Sequence, residues 1–345
     1  MTLDEIAKLA NVSKTTASYV INGKAKKYRI SDKTTNKVLS VVAEHQYSPN
    51  HAASTLRAGS SRSFGLVIPD LENHSYARIA KLLEKSAREK GYQLIISCSD
   101  DEIATEKEVV NTLVSRKIDL LFVATSLSIE DSFYQKIQSS GTPVIAIDRA
   151  LNDEYFSSVI SEDLEGAFEL TTTLLSDDIL SIGLIGAVET LGVSKERQQG
   201  FLAAIDKFSD TKKLSVQISH GEYFSQQQGF KQIQNWYQEN RVPDAILVTS
   251  YSLLEGILDF LLTQPDILRK NEPMSDIVTN SEPYGSLKLA TFGDNRLLDF
   301  LPIKVNSLSQ QYDIIAQQAL NLGFKAIKGE KMTGIEVIKR KLKCR

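Results

Sequence analysis

Apolar residues recur at helical spacing as far as His45 and then, from Phe64 onward, gather into short β-branched runs separated by amphipathic stretches. Leu3, Ile6, Ala7 and Ala10 fall at i, i+3, i+4 and i+7, one face of a short helix. Thr2 precedes that face and Glu5 lies three residues on, so a hydroxyl and a carboxylate can satisfy the first free amides reciprocally. Asn11 ends the helix, and Ser13 opens a second with Ala17, Val20 and Ile21 inward and Lys14, Thr15, Ser18 and Tyr19 outward. Ser31 caps a third helix, SDKTTNKVLSVVAEH, whose Thr35, Val38, Val41 and Val42 are expected to close a three-helix core. Pro49 drives the residue before it out of the helical region and halts that helix. HAASTLRAG, residues 51–59, is too short to be a stable helix alone and runs into the linker Gly59-Ser60-Ser61-Arg62-Ser63.

Eight apolar runs then read as strands: 65–69, 93–98, 119–124, 143–148, 181–186, 215–219, 244–250 and 287–293. Helical stretches fall between them, among them 76–90, 105–117, 165–175, 195–207 and 253–262. Strand–helix alternation builds parallel sheets with helices on both faces, and eight strands in this length divide more naturally into two sheets than one. The predicted division is a helix-turn-helix domain over 1–48, a hinge helix and linker over 49–62, and a core of two interleaved α/β subdomains over 63–345. Residues 264–286 break the rhythm with three prolines and read as a long surface loop.

Charge sharpens the first part of this picture. Residues 1–62 hold ten Lys or Arg against four acids, a net of +6, so the remainder carries −9 of the chain's net −3. A basic head of short helices, the second displaying donors, has the make-up of a DNA reader, whereas an acidic body does not seek a polyanion. Lys24, Lys26, Lys27 and Arg29 directly follow the second helix, where they can meet phosphates or reach a groove. No basic and apolar leader follows Met1 and no run is long enough to span a bilayer, so a cytoplasmic protein with no membrane partner is expected. Cys98 and Cys344 make no disulfide framework, with Cys98 expected as a buried small hydrophobe; His45, His51, His74 and His220 have no metal spacing. No metal or cofactor is expected. G-x-S-x-G, a phosphate loop ending GK[ST] and H-E-x-x-H are absent, and the S-x-x-K match at 209–212 falls in a polar loop. An enzyme on this scaffold is therefore the weaker reading, and a transport-type sugar receptor lacks both the leader and a reason for the basic head.

LDEIAKLANVSKTTASYVING at the start, YSPNHAASTLRAGSSRSFGLVIPD at the junction, and AIDRA, ERQQGF and TFGDN in the body together resemble the LacI family of bacterial transcription regulators over essentially the full length. VSKTTASYVINGKAKKYRISDKT, IPDLENHSYARIA and LATFGDN are most similar to its fructose-responsive branch. The resemblance implies a DNA-binding head, a hinge helix and a two-subdomain core similar to periplasmic sugar-binding proteins. It also implies a homodimer on a near-palindromic double-stranded operator, with tetramers left open, and release by a small ligand. By position, Lys14, Thr15 and Tyr19 match base-reading residues of the recognition helix, and Ser13, Thr16, Ser18 and Asn22 match phosphate or sugar contacts. Leu56 matches the hinge leucine that wedges into the minor groove, with Ala53 and Arg57 beside it. Thr2, Asn50 and the basic cluster at Lys24, Lys26, Lys27 and Arg29 complete the candidate DNA-contacting set. The loop from Asn22 to Ser31 is longer than in many members of the family, so its contacts cannot be copied from shorter relatives.

Ligands of two-lobed α/β binders lie at the carboxyl ends of strands. Those ends offer Asp70, Asn73, Ser126, Asp148, Arg149 and Asp294, and Arg197 stands where the family places a sugar-contacting arginine. Paired guanidinium forks suit a phosphate and a carboxylate suits hydroxyls, so a sugar phosphate is the expected effector, fructose 1-phosphate by the branch resemblance. Ser250-Tyr251 stands where this fold commonly has Asn-Asp, which leaves that wall of the cleft open.

Overall fold

Three side-chain caps start the first three helices. Thr2 Oγ1 accepts from the Glu5 amide at 3.3 Å while Glu5 accepts from the Thr2 amide at 2.7 Å, and these bonds hold the Glu5 carboxyl below its ordinary value. Ser13 and Ser31 accept from the amides three residues on, at 3.1 and 3.2 Å. Helices α1 (Leu3–Leu9), α2 (Lys14–Ile21) and α3 (Asp32–Glu44) follow from them. Ile6, Ala7, Ala10, Ala17, Val20 and Val38 form the buried centre of the head, and Val41 and Val42 are half-buried against it. The longer segment between α2 and α3 is itself a helical turn, with the Tyr28 amide on Lys24 O and the Ile30 amide on Ala25 O. Ala25 and Ile30 pack on the same core, which fixes the cations between them in place.

The computed structural model describes residues 1–47, 60–209, 213–264 and 287–345. Asn50, Ala53, Leu56 and Arg57 of the expected hinge helix, nearly all of the 264–286 loop and the end of the S-x-x-K match lie outside the described residues. Contacts divide the chain into two units, Met1–Arg62 and Ser63–Arg345.

The larger unit holds two six-stranded sheets. In the first, β1 (Ser63–Ile68), β2 (Gln93–Cys98), β3 (Leu120–Val123), β4 (Val144–Ile147), β5 (Ser157–Ser161) and β11 (Gly334–Ile338) lie in the order β11-β5-β4-β3-β1-β2, all parallel. In the second, β6 (Ser181–Ala187), β7 (Ser215–Gly221), β8 (Ala245–Val248), β9 (Lys288–Phe292), β10 (Val305–Ser309) and β12 (Lys341–Lys343) lie in the order β12-β10-β9-β8-β6-β7, with β12 antiparallel. The first sheet is covered by α4 (His74–Glu89) and α11 (Tyr312–Ile327) on one face and by α5 (Ile103–Ser115) and α6 (Phe133–Ser139) on the other. The second lies between α7 (Leu164–Thr172) with α8 (Gly192–Ser209), and α9 (Gln226–Gln238) with α10 (Tyr251–Thr263). Where α9 meets α10 the backbones approach closely: a Cβ on Gly256 would lie 1.8 Å from Gln226 O, and one on Gly229 2.0 Å from Leu253 O.

The chain passes between the lobes three times: after β5, between β10 and α11, and between β11 and β12. These crossovers interleave the lobes and bring Asp163, Gln310 and Arg340 to the same boundary.

All eight strands expected from the apolar runs are present, with ends shifted by at most two residues. Four more are present that the runs did not mark. SSVIS and VNSLS of β5 and β10 are half serine, and their strands are fixed by parallel pairing with β4 and β9. GIEVI and KLK are edge strands whose partners lie far back in the chain. Cys98 ends β2 half-buried rather than fully buried, and burial raises its thiol.

Candidate functional site

On the head, Lys14 and Thr15 are exposed at the start of α2, and Ser18, Thr16 and Tyr19 are half-buried along it. Thr2, Ser13 and Thr16 are engaged in capping, and Asn22 Nδ2 donates to Ser18 O at 2.7 Å, so these polar groups order the helix ends as well as present them. Lys14 Nζ meets Asp4 at 2.6 Å; both side chains are about half exposed, and such a pair is held too weakly to compete with a nucleic-acid contact. The Tyr19 ring is stacked on Tyr28, centroids 3.7 Å apart and planes 4° from parallel, with Lys27 Nζ 5.9 Å from the Tyr28 ring. Tyr28 comes from the long α2–α3 segment, so that segment shapes the outward face of α2. Lys24, Lys26, Lys27 and Arg29 stand exposed around it.

In the larger unit a cleft opens at the carboxyl ends of both sheets. Asp70, Asn73, Asp148, Arg149 and Arg197, all expected from the sequence, line it together. Ser126 stands behind Arg149, whose guanidinium donates to Ser126 Oγ at 3.0 Å and to Asp101 at 2.5 Å. Asp294 is not among the lining residues; it accepts from Ser307 Oγ at 2.7 Å and is ion-paired with Arg345. Tyr76, Asp101, Gln310 and Arg340 are lining residues that no local motif marks, and Phe224, Tyr251, Phe292 and Val193 give the wall from the second lobe an apolar, aromatic face.

The polar wall is densely charged and buried. Asp148 accepts from Tyr76 at 2.9 Å and from Gln310 Nε2 at 2.6 Å. Burial would push its carboxyl up, but Arg197, Arg340 and Arg149 outweigh burial and hold it below the ordinary value. One oxygen of the buried Asp163 accepts from both Arg197 Nε and Arg340, each at 2.8 Å, and both guanidiniums lie over the Phe292 ring, 4.5 and 5.1 Å from its centroid. Burial, together with the charge of Arg197, lowers the Arg340 guanidinium from its usual value. Asp100, Asp101 and Asp148 adopt φ of 54°, 57° and 67°, backbone strain that concentrates where geometry is held for a ligand.

Among the described residues, four buried lining atoms have no hydrogen-bond partner: Arg149 Nε, Arg340 Nε, Thr249 Oγ1 and Gln310 Oε1. Buried polar atoms are rarely left so. Their donors and acceptors lie in one cavity with carboxylates, which suits a ligand that is both anionic and hydroxylated. Among the described residues no group of His, Cys, Asp and Glu could hold a metal, and no helix is long and apolar enough to cross a membrane.

Comparison with known proteins matches two parts of the chain to different families. Residues 2–50 match the family described as bacterial regulatory proteins, lacI family, and residues 64–279 match the periplasmic binding protein domain. The chain is 56% identical to the fructose operon regulatory protein of Vibrio cholerae over 345 residues, all of both chains. It is 42% identical to the catabolite repressor/activator of Escherichia coli K12, covering 93% of this chain and 91% of that one. Among solved structures it is similar to the Cra transcriptional dual regulator from Pseudomonas putida in complex with fructose 1-phosphate, with a TM-score of 0.73 and 41% identity over 82% of this chain and 98% of that one. These relatives are named as regulators of transcription, not as enzymes.

Proposed function

The chain belongs to the LacI family of bacterial regulatory proteins, DNA-binding regulators of transcription, and from that premise we propose that it controls genes of fructose and carbon metabolism through an operator that fructose 1-phosphate makes it release. The observation that carries the effector assignment is the pair of unpartnered donors, Arg149 Nε and Arg340 Nε, in the cleft that also presents Asp70 and Asp148. Guanidinium groups take the phosphoryl oxygens and the carboxylates take sugar hydroxyls, while Tyr251 and Phe224 cover the apolar face of the sugar. The bound fructose 1-phosphate of the P. putida relative supports this choice over a neutral sugar.

In this reading residues 1–48 are the DNA-binding domain, 49–62 the hinge helix and linker, and 63–345 the effector and dimerisation core. Lys14, Thr15 and Tyr19 read base edges, and Thr2, Ser13, Thr16, Ser18, Asn22, Lys24, Lys26, Lys27 and Arg29 hold the backbone. Leu56 wedges into the minor groove with Ala53 and Arg57 beside it, and Asn50 also contacts the DNA. One head makes too few base contacts for high specificity, so two copies act on a near-palindromic operator in the cytoplasm, and a tetramer is compatible with the same chemistry. Effector draws the lobes together about the crossovers, and a hinge helix too short to persist alone is lost when the two cores of the dimer shift.

Calorimetric titration of the full chain with fructose 1-phosphate, fructose and inorganic phosphate tests the assignment. One site per chain that prefers fructose 1-phosphate to both fragments, and weakens several-fold in Arg340→Gln, is the expected result. Absence of binding, or equal binding of free fructose, would overturn it.

A further inference from the structure

We propose that Tyr223 and Glu102 form a latch at the open rim of the cleft that positions Phe224 and Asp101 against the effector and sets how readily the lobes close. The proposal rests on the cleft being the effector site and deepens that reading by naming what controls its closure.

The Tyr223 hydroxyl donates to Glu102 Oε1 at 3.3 Å, joining a residue that follows β7 to one that follows β2. In each sheet that strand is the edge opposite the crossovers, since β2 ends the order β11-β5-β4-β3-β1-β2 and β7 ends β12-β10-β9-β8-β6-β7. Four to five strand spacings of about 4.8 Å put the rim about 20–24 Å from the crossovers, so a rotation of about 10° there moves it by about 4 Å. That displacement breaks a hydrogen bond. The crossover contacts, including Arg340 to Asp163 and Gln310 to Ser161, lie near the axis and survive the same rotation.

Local structure on both sides serves this contact. Glu102 occupies the N-cap of α5 without capping it, although Ser, Thr, Asp or Asn is preferred there, so its carboxylate is free to reach the other lobe. The two residues before it, Asp100 and Asp101, both take positive φ, and Asp101 thereby grips Arg149 inside the cleft. Opposite, the Ser225 amide bonds Tyr223 O at 3.0 Å and Ser225 caps α9, which anchors the turn that places Phe224 in the cleft wall. Each latch residue is thus the chain neighbour of a residue that faces the ligand. Movement of either wall is transmitted to the latch through one peptide unit.

Tyr223→Phe removes only the hydroxyl, Glu102→Ala removes the acceptor, and Glu102→Gln keeps an acceptor oxygen. In the full chain, stopped-flow dissociation of fructose 1-phosphate is expected to quicken about five-fold in Tyr223→Phe and in Glu102→Ala, with the double variant no faster than either. Glu102→Gln stays near wild type, association rates change little, and the thermal midpoint of every variant is unchanged. Paired spin labels, one on each lobe, report a longer interlobe distance in Tyr223→Phe without any sugar phosphate. Additive or unaltered dissociation rates overturn the latch, as does an unaltered interlobe distance. If the wild-type chain does not bind fructose 1-phosphate, the effector assignment fails and the spin-label distance alone decides the latch.

Discussion

Asp163 is the point at which stability and ligand recognition bear on each other most sharply. Its Oδ1 accepts from Arg197 and Arg340 at 2.8 Å each, and all three side chains are buried. Asp163→Asn preserves the shape and one acceptor oxygen but removes the charge that neutralises two guanidiniums. Breaking one buried pair costs about 3–5 kcal/mol. Asp148 also acts on both arginines, which places the expected loss at the lower end, about 3 kcal/mol. Over the Ser63–Arg345 unit that is a fall of about 5 °C in thermal midpoint. The second consequence has the opposite sign. With one more positive charge left uncompensated in the cluster, an anion in the cleft stabilises the variant more than the wild type, because binding to the native state alone raises stability. Differential scanning fluorimetry of the full chain across a phosphate series, with chloride at matched ionic strength, reads both effects. A midpoint within about 2 °C of wild type, or a phosphate-induced rise no larger than in wild type, would refute the reasoning.

Three further expectations follow from other parts of the molecule. Tyr28→Ala removes the ring against Tyr19 and is expected to reduce discrimination between operator and random DNA while leaving the salt dependence of binding unchanged, since no phosphate-binding cation is lost; Tyr28→Phe keeps the ring and stays near wild type, and competition binding across a salt series checks both. Asp148 has a lowered folded value, so its contribution to stability is complete above the ordinary carboxylate value of 3.8 and is lost as pH falls from there through the folded value; Asp148→Asn should flatten the acid limb of urea-denaturation stability below that pH. Gly256→Ala places a methyl 1.8 Å from Gln226 O, a backbone atom that cannot rotate away, and should destabilise the second lobe by about 2 kcal/mol or more in denaturant titration.

The parts of this architecture that were legible beforehand are those written locally. Thr2 with Glu5, Ser13 and Ser31 are cap signals contained within four residues, and each starts a helix where expected. Strands buried on both faces, such as LLFV and AILV, appear as unbroken apolar runs. β5, β10, β11 and β12 carry serine or charge and exist through pairing with neighbouring strands of their sheets, so periodicity has nothing to report there. The cleft divides in the same way. Asp70, Asn73, Asp148 and Arg149 sit directly after recognisable strands and line it, as does Arg197 on the helix after β6. Arg340 lies between two short edge strands and enters the cleft only because the chain crosses the lobes a third time. In the sequence it is one of five Lys or Arg in the last seven residues, with nothing to single it out. Asp294 reads as a strand-end carboxylate, but its nearest charge is Arg345, a pairing that a distance of 51 residues hides.

The second lobe's cleft wall illustrates a different limit. Phe224, Tyr251 and Phe292 come from three separate strand ends, and only the sheet order brings them together opposite the charged wall. The cleft therefore has one face suited to charge and one suited to an apolar surface, and a sugar phosphate presents both.

The most direct measurement is operator binding by the full chain with and without saturating fructose 1-phosphate, read by fluorescence anisotropy at fixed salt. A loss of affinity of tenfold or more, about 1.4 kcal/mol or greater, that is absent with free fructose is the expected result. Operator affinity unchanged at saturation would contradict the assignment of the cleft as the switch.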